Sequence, residues 1–317
     1  VPYCSSIPTA YESHFWRASI DASWKFIELL AKDESVADIP IRGDVTLRTI
    51  ASHELRPGFE QRSARATAYM YPFCGEQRRL EIIAVLMTML FLFDGKFARI
   101  CSENCADLFP SPTTSSNSPL QSYLNAVITD IHASDRRAGN GGAEVHAEMR
   151  KTFSYLRPEA TLTSVEEYLR FRRQNVCAGF VFASIKFSIA SSVDMHQPHL
   201  VQIMTWAADH LSIVNDLYSY AKEARAFNDK SCPDLINVVS VLQRVTDAPD
   251  DESALQMAFA LLLQREEWMF EKLTNLRSTG ALDEETWTFL RAVWACLSGN
   301  VMYSMTCERY GGEAARI

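Results

Sequence analysis

The chain has 317 residues, 47% hydrophobic and 22% charged, with 12 Gly and 12 Pro, which excludes collagenous, low-complexity and disordered classes. A balance of 31 basic against 39 acidic residues gives a net charge of −8, so binding to nucleic acid or to an anionic membrane by counterion release is not expected. An anionic ligand would need a local cluster of Arg and Lys, or divalent cations held by carboxylates.

From the N-terminus, VPYCSSIPTA has no basic stretch followed by an apolar core, so no signal peptide is expected and the chain reads as cytoplasmic. Apolar residues at three- and four-residue spacing predict helices near 11–32, 60–71, 76–94, 118–134, 142–156, 164–190, 198–226, 233–244, 252–277 and 283–310. ARATAYMYP lies on the second of these and looks like a pocket-side helix. The longest apolar run, Ile82 to Phe93, is 12 residues long and contains Thr88, which suits a buried helix and is too short to span a bilayer. Cys101 and Cys105 lack a second Cys or His pair at zinc-finger spacing, and the eight Cys are irregularly placed, so they read as reduced thiols. PSPTTSSNSP and RAGNGG are loops by composition. Ser118-Pro119 fits a helix start, Thr163 and Glu166 have capping-box spacing, and Cys232-Pro233-Asp234 starts another helix. Pro198 breaks the helix that His196 and His199 would need as a ligand pair. Strand signals are nearly absent. About ten helices without βαβ alternation, internal repeats or heptads predict one all-α domain over 1–317, its helices arranged around a core.

Polar residues interrupt the helix over 198–226. In LSIVNDLYSYAKEARA, Asn215, Ser219 and Glu223 recur every four residues and so share one stripe, drifting about 40° per step. Amide, hydroxyl and carboxylate oxygens are hard ligands suited to Mg²⁺, although a solvated face could also read N, S, E. The full string N-D-L-Y-S-Y-A-K-E resembles the N-D-x-x-S-x-x-x-E metal-binding motif of class I terpene synthases, with the K-E ending common in fungal sesquiterpene cyclases.

That resemblance implies a class I terpenoid synthase fold around a central active-site pocket that takes an isoprenoid diphosphate and three Mg²⁺ ions. It implies metal ligands at Asn215, Ser219 and Glu223, and an Asp-rich motif starting at Asp94, 121 residues before Asn215. Here the motif departs from the usual D-D-x-x-D/E: the chain reads Asp94-Gly95-Lys96-Phe97-Ala98 and keeps only the first Asp. Glu103 and Asp107 could supply a second carboxylate only if the helix bends after Gly95. Arg172 and Arg173 lie 43 and 42 residues before Asn215, and Arg172 aligns best with the family's diphosphate-sensing Arg. By the same resemblance Asn175 takes the linker position, Val176 the effector position, and Gly179 eases a helix break. Arg309 and Tyr310 resemble the family's terminal R-Y pair, and Lys222 is a further candidate donor. Arg and phenol groups match phosphate oxygens geometrically.

An allylic cation needs a dry, aromatic-lined cavity. Candidate liners are Met87, Leu90, Phe91, Phe180, Trp206, Leu211, Trp294 and Tyr303, each of which could equally be plain core. The expected activity is Mg²⁺-dependent cyclisation of farnesyl diphosphate to a sesquiterpene, without a nucleic-acid partner, with homodimer formation open. The alternatives are a non-catalytic isoprenoid-binding or scaffold protein, and a prenyltransferase. The last would use a second Asp-rich motif where this chain has N-D-x-x-S-x-x-x-E.

Overall fold

The computed structural model describes residues 5–34, 40–42, 45–93, 119–138, 141–154, 162–230 and 234–310. Twelve α-helices are found among them. They fall into two compact units, one of Val1–Tyr11, Pro158–Ala178 and Val193–Ile317, the other of Glu12–Arg157 and Gly179–Ser192.

The second unit holds α1 (Trp16–Lys32), a two-stranded antiparallel ladder of β1 (Pro40–Arg42) and β2 (Val45–Thr46), α2 (Leu47–Glu54), α3 (Arg65–Met70), α4 (Gln77–Phe93), α5 (Pro119–Ala138), α6 (Gly142–Ser154) and most of α8 (Ala178–Ser188). α4 is apolar on nearly every face and therefore buried, from Ile82 through Met89, with α1 packed along it and the Ser23 hydroxyl of α1 donating to the Ala84 carbonyl at 3.3 Å. Thr88, the polar residue within that run, is 2% exposed, and its hydroxyl donates to the Ala84 carbonyl at 2.7 Å. Neither the ladder nor α2 is foreshadowed by the apolar periodicity, because both are too short to show a period.

The first unit holds α7 (Val165–Asn175), α9 (Pro198–Asn228), α10 (Val238–Thr246), α11 (Asp251–Ser278) and α12 (Glu284–Thr306), followed by a 3₁₀ turn at Glu308–Tyr310. α9 is the longest described helix, and α7, α10, α11 and α12 all pack on it. Pro198 opens α9 in its first turn, where a missing N–H costs nothing.

Three predicted boundaries shift. The helix expected over 164–190 is two helices, because the chain breaks at Val176 and Cys177, the latter at φ 60°. The cap of α7 is Ser164 rather than Thr163: Ser164 Oγ accepts from the Glu167 amide at 3.2 Å, and Glu167 reaches back to the Thr163 amide at 2.9 Å. The helix expected from Pro233 starts five residues later, capped by Asn237.

Candidate active site

The polar stripe of α9 faces residues of α7, α10 and the C-terminal 3₁₀ turn, and all of these belong to the first unit. Arg172, in the last turn of α7, is 8% exposed. Its guanidinium donates through Nη2 to Asn215 Oδ1 at 2.6 Å, through Nε to Asp216 Oδ1 at 2.9 Å, and through Nη1 to the Asn175 amide oxygen. Asn215 in turn donates through Nδ2 to the Tyr310 hydroxyl at 2.9 Å. One guanidinium, two amides and one phenol thus form a continuous hydrogen-bonded cluster.

Asp216 anchors that cluster. It is fully buried and accepts from the Tyr168 hydroxyl, from Arg172, and from the Val238 amide at 2.9 Å. Burial works against the charge on Arg172, but the Asp216 carboxylate outweighs it and holds the guanidinium pKa above its ordinary value. Burial, followed by the Asp216 charge, pushes the Tyr168 phenol well up, so it remains a donor. Asn237, also fully buried, donates to the Asp216 carbonyl at 2.9 Å and to Glu223 Oε2 at 3.0 Å.

The donor set on α9 fits a hard divalent cation. Arg172 takes one of the two lone pairs of Asn215 Oδ1. Ser219, 2% exposed, has its hydroxyl 3.5 Å from the Asp216 carbonyl, a weak bond that leaves the oxygen able to coordinate. Glu223 brings a carboxylate of two oxygens, and all three side chains lie on one stripe.

The two adjacent arginines part company in the structure. Arg173 pairs with buried Asp209 at 2.6 Å, and Arg265 reaches the other oxygen of the same carboxylate at 3.0 Å. That is a structural triad; Arg172 alone reaches the α9 stripe. Val176 caps α7, with its amide on the Arg172 carbonyl at 2.8 Å. The helix break lies at Cys177, and Gly179 sits inside α8, where a Cβ would lie 2.2 Å from a Glu148 carboxylate oxygen. That oxygen ends a flexible, part-exposed side chain that can move aside, and Gly179 lies past the break rather than in it.

The remaining candidates lie in varied settings. Lys222 is exposed on α9, and Arg309 is half-buried on the 3₁₀ turn beside Tyr310. Leu211, 2% exposed, lies one turn before Asn215, and Trp294 is half-buried on α12. Tyr303, also 2% exposed, meets Tyr310 edge-on with ring centroids 6.4 Å apart. Trp206 is nine residues before Asn215, on the opposite side of α9, at about 100° per residue. It packs on Trp268, centroids 5.4 Å apart, in an open groove of about 510 Å³ that Gln202, Glu271, Lys272 and Asn275 also line. In the other unit Met87 and Phe180 are buried, while Leu90 and Phe91 are half-buried. Asp94, with Gly95, Glu103 and Asp107, lies outside the described residues.

Sequence reading passed over Tyr168, Asp216 and Asn237. Tyr168 lies one turn before Arg172 and so shares its face, and Asp216 stands beside the stripe, so both carried a usable signal. Asn237, in a separate helix cap, carried none.

Residues 111–267 match the family model described as terpene synthase family 2, C-terminal metal binding. This chain belongs to the terpene synthases. The family match takes in Arg172 and the whole α9 stripe. Terpene cyclase 6 of Gibberella fujikuroi is 23% identical over 328 residues, 99% of this terpene synthase and 84% of that protein. The (+)-aristolochene synthase TS1 of Penicillium expansum is 26% identical over 176 residues, 51% of each chain. Among solved structures, aristolochene synthase from Penicillium roqueforti superposes with a TM-score of 0.68 at 16% identity, covering 97% of this chain and 100% of that one. The fold is therefore that of the class I terpene synthases, and the family match marks a metal-binding region. No helix among the described residues is long and apolar enough to cross a membrane.

Proposed function

We infer that this terpene synthase is a cytoplasmic sesquiterpene cyclase that ionises farnesyl diphosphate with Mg²⁺, three ions by family resemblance, and closes the resulting allylic cation into a ring. The observation that carries this reading is the junction of Arg172, Asn215 and Tyr310, which ties a cationic phosphate donor to the first oxygen of the α9 stripe. Asn215, Ser219 and Glu223 would hold the metal, with Asp94 as the expected carboxylate from the other motif. Bound Mg²⁺ supplies positive charge against the diphosphate as the carbon–oxygen bond breaks.

The chain's own groups perform the rest. Asp216 holds the Arg172 guanidinium in a fixed orientation, and its amide partners Asn175 and Asn215 are neutral, so a diphosphate oxygen can displace them at small electrostatic cost. Arg309 and Tyr310 add a second charged donor and a hydroxyl on the C-terminal turn. Donors set before the reaction stabilise charge where it develops without reorganising.

The test is incubation of the purified chain with farnesyl diphosphate and Mg²⁺, reading hydrocarbons by gas chromatography–mass spectrometry and diphosphate release in parallel. A cyclic C15 product lost in EDTA and in Glu223→Gln supports the reading. Turnover only with geranylgeranyl diphosphate, products only with an added prenyl acceptor, or folded protein with no turnover would each replace it with another.

A further inference from the structure

Asn237 has no part in the chemistry just described, yet its side chain is fully buried and makes three hydrogen bonds within the first unit. Its Oδ1 accepts from the Val239 amide at 3.0 Å and caps α10. Its Nδ2 donates to the Glu223 carboxylate at 3.0 Å and to the Asp216 carbonyl at 2.9 Å. Two acceptors on one side and one donor on the other allow a single orientation of the amide. Asp216 and Glu223 are seven residues apart on α9, two turns, and lie within about 20° of one face. Asn237 therefore clamps α9 across two turns from outside, and the next amide, Val238, donates to the Asp216 side chain at 2.9 Å.

We propose that Asn237 is a positioning residue that fixes the Glu223 carboxylate for metal, and that the start of α10 holds that carboxylate and the Asp216–Arg172 pair in one frame. The metal oxygen and the diphosphate donor then stand in register because both are referred to two consecutive residues, Asn237 and Val238. Glu223 is half-exposed and long, and without this bond its carboxylate would sample several rotamers. Ser and Asp keep a capping oxygen but lack the two amide N–H donors that reach Asp216 and Glu223 together, Gln is one methylene too long for a fully buried site, and Ala loses both functions.

The inference rests on the metal-dependent reading above, and the experiment separates the two. Mn²⁺ binding in the presence of inorganic diphosphate is measured by electron paramagnetic resonance for the parent chain and for Asn237→Ser, which retains a capping oxygen. We expect Asn237→Ser to bind Mn²⁺ at least about tenfold more weakly, the usual scale for losing a bond that orients a metal ligand. In turnover, the metal concentration for half-maximal rate should rise by a similar factor, with a smaller change in kcat at saturating metal. Equal Mn²⁺ affinity in a folded Asn237→Ser overturns the proposal, whereas a parent chain that binds no Mn²⁺ overturns the functional reading and the proposal with it. Should Asn237→Ser fail to fold, Glu223→Ala serves instead, with asparagine side-chain amides followed by nitrogen-15 NMR. A protected amide pair that shifts in Glu223→Ala supports the clamp, and an unchanged spectrum overturns it.

Discussion

Asp216 shows how one buried carboxylate can organise a site it does not complete by itself. It has no exposed surface, yet it collects a phenol, a guanidinium and a backbone amide. Removing it as Asp216→Ala would leave the Arg172 guanidinium buried without its anion, and the expected loss is about 3–5 kcal/mol. Urea denaturation read by circular dichroism measures that. Tyr168→Phe removes one hydrogen bond to the same carboxylate while the others remain, so a loss of about 1.5–3 kcal/mol is expected. The neighbouring arginines should separate in kinetics. Arg172→Ala and Arg309→Ala are each expected to lower kcat/KM by at least about tenfold, because a charge-assisted contact to the leaving group contributes most in the transition state. Arg173→Ala should instead lower the unfolding midpoint, since its partner Asp209 is buried between it and Arg265. A mutant pair that reversed these behaviours would show that the donor assignment is misplaced by one residue.

Among the elements, the α5–α6 hairpin shows most directly how local sequence sets packing. The Asp135 carboxylate caps the start of α6 by accepting from the Gly142 amide at 2.9 Å and the Ala143 amide at 3.0 Å. A Cβ at position 142 would lie 2.5 Å from the Ile131 carbonyl oxygen, so the two helices approach this closely only over glycine. Gly142→Ala is therefore expected to cost about 1–3 kcal/mol of stability, visible as a lower thermal midpoint. Gly141 adds a positive φ of 75° and a would-be Cβ 2.8 Å from the Phe187 amide nitrogen, both within the second unit. The break after α7 is implied by the family resemblance but not by the periodicity, which continues smoothly through 164–190; the residue at the break, Cys177 at φ 60°, is one whose type gives no warning of a left-handed conformation.

Across the whole chain, the N-terminal segment is tied into the first unit by Glu266. This carboxylate, 1% exposed, accepts from buried His210 at 2.8 Å, from the Ser5 hydroxyl at 2.5 Å and from the Ser6 amide at 2.7 Å. Burial alone would push its pKa up; the His210 hydrogen bond and charge, with the two serines, outweigh it and hold the carboxyl below its ordinary value of 4.5. The contribution is thus fully present above pH 4.5 and is lost as pH falls through the lower value of the folded state. The thermal midpoint of the parent chain should accordingly exceed that of Glu266→Gln at pH 7, and the gap should narrow below pH 4.5. A gap that stayed constant across that range would show that Glu266 does not titrate with folding. The Asp-rich motif awaits its own experiment. Asp94→Asn is expected to abolish ionisation of the substrate nearly completely, with Glu103→Ala and Asp107→Ala mattering much less, and the reverse pattern would move the metal site beyond Gly95.

The sequence by itself determined the helical class and most helix positions, because a 3.6-residue apolar period is written directly into residue order. It also determined the α9 stripe of Asn215, Ser219 and Glu223, since residues four apart on one helix are neighbours whatever surrounds them. What the sequence left open was every relation between elements. Spacing favoured Arg172 over Arg173 by resemblance, but only the packing of α7 on α9 shows one turned toward Asn215 and Asp216 and the other toward Asp209. Trp206 and Leu211 were both candidate liners, and only the packing of α11 on α9 puts Trp206 in an outer groove with Trp268 while Leu211 is buried in the core. Asn237 and Asp216, 21 positions apart, meet only because α10 folds back on α9, and the full burial of both is a property of that contact rather than of either residue. Hydrogen bonds between helices depend on distances of a few ångströms across the chain, and no periodicity within one helix encodes them.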